Sequence, residues 1–292
     1  MSSASLRRRL AVALATSNEL EAVVRWSPKL TDRSYRAARR YVAGERLDEA
    51  LTVVKRLADE GFAVSVDFFG EHVADQGTAR STAAVYGGLA FALQAVEGDV
   101  TLALDPSHLG LDVSTKLFRE LLGEVTAAAG GRRIDVGAED SERVDGTLEV
   151  VTELAHTGVP LQATLQANLR RSPEEADALA EVGVGVRLVK GAYVEPDDAA
   201  LSWGEETDLA YVRLAHQLHA AGVPLALATH DPVLRESLLA ALGPVPVEML
   251  YGVREDDARE LVARGIPVRL YVPYGHNWFR YWLRRIAESQ GA

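Results

Sequence analysis

The chain has no cysteine among its 292 residues. That absence excludes disulfides, a thiolate nucleophile and cysteine-ligated metal, and it suits a reducing cytoplasm. Positive charge is also short: 31 lysines and arginines against 42 acidic residues leave a formal charge of −11. A phosphate backbone rewards a basic surface, so nucleic acid is excluded as a general partner and small molecules are favoured. No apolar run approaches the roughly 20 residues that span a bilayer. The segment "LRRRLAVALATS" at 6–17 has the basic start and apolar run of a signal peptide, but the run is short and charges continue through Glu19, Glu21 and Arg25. An amphipathic N-terminal helix, packed on the fold or resting on a partner, is the expectation.

What is present is 48% hydrophobic and 25% charged residues, ample for a packed core. Composition does not shift along the chain, so one domain over 1–292 is expected. Eight short β-branched runs alternate with helix-like stretches: "FAVSVDFF" from 62, "DVTLAL" from 99, "RIDVGAE" from 133, "VPLQATLQA" from 159, "VGVRLVKGAY" from 184, "VPLALATHD" from 223, "VPVEMLYG" from 245 and "IPVRLYVPYG" from 266. Several follow a helix end of one form ("EGF", "HTGVP", "EVGVG", "AAGVP", "ARGIP") in which glycine closes the helix in the left-handed region. Near-continuous apolar strands joined by helices imply a parallel sheet covered on its other face. Eight units in about 230 residues fit a (β/α)8 TIM-like barrel over 61–292, preceded by N-terminal helices over 1–60. No G-x-G-x-x-G follows the first run, which disfavours a doubly wound dinucleotide sheet.

Barrel chemistry lies at the carboxyl ends of the strands. That rule selects Asp67 and Glu71, then Asp105 and His108, Glu139 and Asp140, and Gln166. From the second half it selects Arg187, Lys190 and Tyr193, then Thr229, His230 and Asp231, Tyr251, and Tyr271 with the helix that follows. In that helix "WFRYWLRRIAE" sets Tyr281, Arg284, Arg285 and Glu288 at i, i+3, i+4 and i+7, on one face. Two guanidinium forks one residue apart suit a single carboxylate, with the aromatics enclosing an apolar body and Glu288 orienting an arginine. A solvated basic helix face is the competing reading. Strand alternation points Arg187 and Lys190 opposite ways, and Gly191 marks a break that would turn Lys190 toward a ligand. Lys190 is then a Schiff-base nucleophile, an anion contact, or simply ion-paired. His230 with Asp231 does not make a metal site, the helical His156, His216 and His219 add nothing to it, and no metal is expected.

The motifs "DFFGE" at 67, "QANLRRS" at 166, "RLVKGAY" at 187, "ATHD" at 228, "EMLYG" at 248 and "VRLYVPYGHNWFRYWLRRIAE" at 268 occur in one order. From the first strand to the carboxyl end the chain resembles the proline dehydrogenase family in its short monofunctional bacterial form. The resemblance implies a distorted (β/α)8 barrel holding FAD non-covalently and oxidising proline to 1-pyrroline-5-carboxylate by hydride transfer to flavin N5. Electrons would pass to a quinone or another acceptor, from a cytoplasmic protein in peripheral contact with the inner membrane. By the same resemblance Arg284 and Arg285 hold the substrate carboxylate, Tyr193, Tyr271 and Leu250 shape its pocket, and Glu71 lies near the arginines. Arg187 sits by N5, Gln166 bonds the isoalloxazine, and Ala138, Lys190, Gly191, Ala192, Thr229 and His230 contact other parts of FAD. Two positions depart from the family. "DPSHLGL" puts Asp105 where a pattern like K-[LP]-[ST]-Q-L-G-L has lysine, and "GAED" puts Gly137 where D-x-E-[DE] has aspartate. A carboxylate has moved between strand ends, which makes Asp105 a catalytic candidate and hydroxyproline or another cyclic amino acid an alternative substrate. A flavin-binding homologue without catalysis is the further alternative.

Overall fold

The computed structural model describes residues 26–289 together with Ala22 and Val24. The N-terminal segment at 6–17 lies outside the described residues, as does the side chain of Glu288. Two helices, α1 (Pro28–Ala38) and α2 (Leu47–Asp59), lead into strand β1 (Ala63–Phe68). Then follow α3 (Gln76–Leu93), β2 (Val100–Leu104), α4 (Thr115–Ala128), β3 (Ile134–Val136), α5 (Val144–His156), β4 (Leu161–Gln166) and α6 (Ser172–Val182). The second half comprises β5 (Gly185–Val189), α7 (Glu205–Ala220), β6 (Leu225–Ala228), α8 (Pro232–Leu242), β7 (Val247–Leu250), α9 (Glu255–Ala263), β8 (Val268–Tyr274) and α10 (Trp278–Ser289).

All eight runs form strands, each parallel to its sequence neighbours, and β1 pairs with β8 to close the barrel. Helix-closing glycines set up the strand entries as anticipated: Gly183, in the left-handed region at φ 75°, ends α6 two residues before β5 begins. Within each strand two residue sets alternate. Val64, Val66, Leu102, Leu104, Val186, Leu188, Val247 and Met249 join the apolar core beneath the helices. The intervening positions are polar and equally buried: Ser65, Asp67, Thr101, Asp135, Gln162, Gln166, Glu248 and Arg269. The strands are therefore not apolar on both faces, as the runs suggested, but apolar outward and polar toward the barrel axis.

Part of that lumen is satisfied by its own contents. Arg269 donates to the Val64 carbonyl at 2.9 Å and Thr101 Oγ1 at 3.1 Å, and pairs with Asp99 at 2.6 Å. Thr101 in turn donates to Asp135 at 2.7 Å, which also receives Arg133. Buried charges survive here because they are paired and hydrogen-bonded.

After β8 the chain turns at once into α10, which packs on α1 through a second apolar cluster of Ala38, Val42, Phe69, Trp278, Phe279 and Tyr281. Trp278 stands 5.2 Å from the Tyr35 ring and donates its indole N–H to Glu45 at 2.9 Å. The packing holds α10 at the carboxyl ends of the strands. Among the described residues no helix is long and apolar enough to cross a membrane.

Candidate active site

The arginine face of α10 meets the loop after β1. Arg284 donates to Glu71 at 2.6 Å, while the Arg285 guanidinium lies 4.7 Å over the Tyr281 ring. Tyr281 is itself braced by Phe69 at 5.1 Å and Tyr271 at 6.3 Å. Burial pushes the Glu71 carboxyl up, but the charge and hydrogen bond of Arg284 outweigh it and hold Glu71 below the ordinary range. Burial tends to lower Arg284, and Glu71 reverses that too, fixing both charges. Glu71, which the resemblance had set near the arginines, thus orients Arg284; the side chain of Glu288, offered for the same kind of role, lies outside the described residues. Among the described residues the Nε of Arg284 is a buried donor without a hydrogen-bond partner.

Acidic groups collect at the ends of β1, β2 and β3. Asp67 accepts from the Tyr86 hydroxyl at 3.0 Å and from Tyr271. Burial raises it to about 7 against the pull of those hydrogen bonds and Arg187. Glu139 accepts from the Ser107 amide at 2.7 Å and hydroxyl at 2.5 Å. Asp105 is pushed well above the carboxylate range, first by burial and then by Asp67, Glu139 and Glu71. His108, also at the end of β2, turns inward: it stacks on Phe68 and meets Tyr86 at 3.3 Å, and burial lowers it to about 4. Tyr86 comes from the middle of α3, where nothing in the sequence marked it.

On the other side of the barrel, Gln166 donates to the Glu139 carbonyl at 2.7 Å, next to Ala138. Arg187 points into the lumen, donates to Thr164 at 3.0 Å and lies 3.9 Å from Glu248. Glu248 and Thr164 were not singled out in advance, although period-two alternation through "VEML" and "QATLQ" places them facing Arg187. Lys190 pairs with Asp208 at 2.5 Å and Asp231 at 3.0 Å, so of the three readings offered for it the structure shows the ion-paired one. Its partner Asp231 also caps α8, accepting from Val233 and Leu234. Borohydride treatment with a carbonyl substrate should therefore leave Lys190 unmodified, which peptide mass mapping would check.

Several buried polar atoms on this side are unspent. His230 accepts from the Leu250 amide at 3.1 Å through Nε2, so its proton sits on Nδ1, which has no hydrogen-bond partner among the described residues. Burial, then Arg285 and other cations, lowers His230 to about 4 and keeps it neutral. Asn168 Oδ1 is likewise buried without a partner among the described residues, and Gly191, at φ 106°, lets the backbone pass against it where a Cβ would collide. Thr229 Oγ1 accepts from Asp231 at 3.1 Å. Tyr193 is half-buried, and burial followed by Asp105, Glu71 and Glu139 raises its hydroxyl. Ala192 beside it is exposed. Orphaned donors and acceptors along β4 to β6, with Arg187 behind them, fit a bound group that is polar at its edge.

Comparison with known proteins agrees with the motifs. A family model described as "Proline dehydrogenase" matches residues 50–292. The chain is 32% identical over 262 residues to "Proline dehydrogenase 1" of Bacillus subtilis subsp. natto, covering 86% of each. It is 31% identical over 306 residues to the "Proline dehydrogenase" of Deinococcus radiodurans, covering 97% of this chain and 94% of that one. Among solved structures, proline utilization A from Bdellovibrio bacteriovorus superposes with a TM-score of 0.82 at 22% identity. The match covers 97% of this chain and 36% of that one, so the chain spans about a third of that protein, and the likeness bears on the fold.

Proposed function

The chain belongs to the proline dehydrogenase family, and on that premise we propose that it oxidises L-proline to 1-pyrroline-5-carboxylate with non-covalently held FAD as the first acceptor. The observation that carries the reading is the paired arginine face of α10, with Arg284 fixed by Glu71 and Arg285 laid on Tyr281. Arg284 and Arg285 bind the proline carboxylate by charge-assisted hydrogen bonds, and the unspent Nε of Arg284 is one donor for it. Tyr193, Tyr271 and Leu250 shape the space for the ring. Tyr271 is held by Asp67, so its ring edge is set before substrate arrives.

Gln166, Arg187, Ala138, Gly191, Ala192, Thr229 and His230 would hold the cofactor, His230 through its Nδ1 donor, which no described residue engages. Lys190 would bring a charge already shared with Asp208 and Asp231. When bound, the flavin supplies the acceptor for the hydride and passes electrons to a quinone or another acceptor. Arg187, gripped by Thr164 and Glu248, places a permanent positive charge beside it. Delivery of electrons to a membrane quinone asks only for peripheral contact by a cytoplasmic protein.

An anaerobic visible spectrum of the purified protein tests this directly. A flavin band bleached by L-proline is the expected result. Bleaching by hydroxyproline or another cyclic amino acid in place of proline would move the substrate, and a yellow protein that none of them bleaches would make it a binding homologue. A colourless protein that fails to take up FAD would overturn the proposal.

A further inference from the structure

Four carboxyl side chains meet at the ends of β1, β2 and β3, and three are engaged: Asp67 by Tyr86 and Tyr271, Glu71 by Arg284, and Glu139 by Ser107. For the fourth, Asp105, no hydrogen bond or ion pair of the carboxyl is found among the described residues. Its electrostatic neighbours are chiefly of like sign, Asp67, Glu139 and Glu71, with Arg284 opposing them. Tyr193 and Tyr271, which frame the ring pocket, both feel its charge. The residue is half-buried, so a ligand can reach it, and a carboxylate held among like charges favours a cation or a proton, which the ligand can supply.

Gly137 supplies the second observation. Its backbone needs no glycine: no left-handed φ occurs there, and its N–H is bound to the Leu104 carbonyl at 2.8 Å. A Cβ at this position would fall well inside 3.0 Å of Asp105 Oδ1, a separation that real side chains do not adopt. The missing side chain of β3 is the space in which the carboxyl of β2 sits.

We propose that Asp105 receives the ring ammonium of the substrate and accepts the proton that nitrogen must lose before hydride can leave, and that Gly137 keeps the clearance for it. The inference rests on the dehydrogenase reading. Proline bound as a zwitterion has no lone pair on nitrogen. Transfer of one proton breaks N–H and forms O–H on Asp105, and the freed pair would close the C=N bond of the iminium as hydride leaves the adjacent ring carbon for the flavin acceptor of the dehydrogenase reading. The arginines hold one pole of the zwitterion and Asp105 the other.

The test compares L-proline kinetics with calorimetric binding of tetrahydrofuran-2-carboxylate, in which an ether oxygen replaces the ring ammonium. In D105N the proline KM should rise and kcat fall at least tenfold each, while the affinity for the ether acid stays within about twofold. G137A, which retains Asp105 but displaces its carboxyl, should raise the proline KM at least fivefold, and D105A/G137A should be no worse than D105A alone. If G137A does not fold, recovery of folding in D105A/G137A is the expected sign of the clearance, and failure of both overturns it. Equal weakening of both ligands in D105N, or a G137A enzyme identical to the wild type, overturns the inference while the dehydrogenase reading stands. A wild type that proline does not reduce sinks both.

Discussion

Arg285→Met should raise the KM for L-proline by at least tenfold, and Arg284→Met should raise it further. A hydrogen bond between charged partners contributes about 1.5 to 3 kcal/mol, and each 1.4 kcal/mol is a factor of ten in binding. Arg285 loses that interaction and its place over Tyr281. Removing Arg284 also leaves Glu71 without its cation, beside a site built for an anion. Breaking a buried pair costs about 3 to 5 kcal/mol, and the low end applies because 31% and 25% of the two side chains are exposed. Steady-state kinetics separate the cases: substitution by lysine should recover part of the affinity at either site through charge alone, without the planar fork. An Arg285→Met enzyme with unchanged KM would remove the carboxylate clamp from the argument.

The clamp also shows which parts of this molecule can be read from its sequence. Helix period is local, so the shared face of Tyr281, Arg284 and Arg285 was legible from eleven residues of "WFRYWLRRIAE". The helix period alone does not give the partner of Arg284, because Glu71 lies 213 positions away and reaches it only when β8 closes on β1; the family resemblance is what placed Glu71 near the arginines. Glu288, visible one turn along, is the partner that local spacing offers, and its side chain lies outside the described residues. The eight strands were legible because several runs follow a helix-ending glycine and the runs carry an outward set of Val, Leu and Ile.

The lumen was harder. Asp67, Asp135, Glu248 and Arg269 read as interruptions or strand ends in a list of apolar runs, yet they lie within the strands and face a common axis. Burial of charge inside a barrel depends on cross-barrel pairing such as Arg187 with Glu248 or Arg269 with Asp99, and no single segment records it. Gly137 and Asp105 make the point most sharply. As separate departures from a family pattern they resemble losses, and only their contact shows one to be the space for the other.

Asp67 should make the stability of the folded state fall as pH rises. Its carboxyl titrates near 7 in the structure, raised by burial, against about 3.9 in an unfolded chain. Between those values the native state holds a proton that the unfolded state has released, so stability falls as pH rises through that window and is lowest above it. From pH 5 to pH 8 the loss from this group alone is about 3 kcal/mol, and with 3% exposure solvent does little to screen it. Asp105 and Glu139, raised by the same burial, act in the same direction. Asp67→Asn should therefore flatten the dependence: denaturant midpoints at pH 5 and pH 8 should lie closer together in the variant than in the wild type. The substitution sets an amide NH2, which cannot accept, opposite one tyrosine hydroxyl, of Tyr86 or Tyr271, where the protonated carboxyl of the wild type still offers an acceptor oxygen, so some stability should be lost at pH 5. Equal slopes in the two proteins would mean that Asp67 is ionised throughout, and the hydrogen bonds from Tyr86 and Tyr271 would then outweigh its burial.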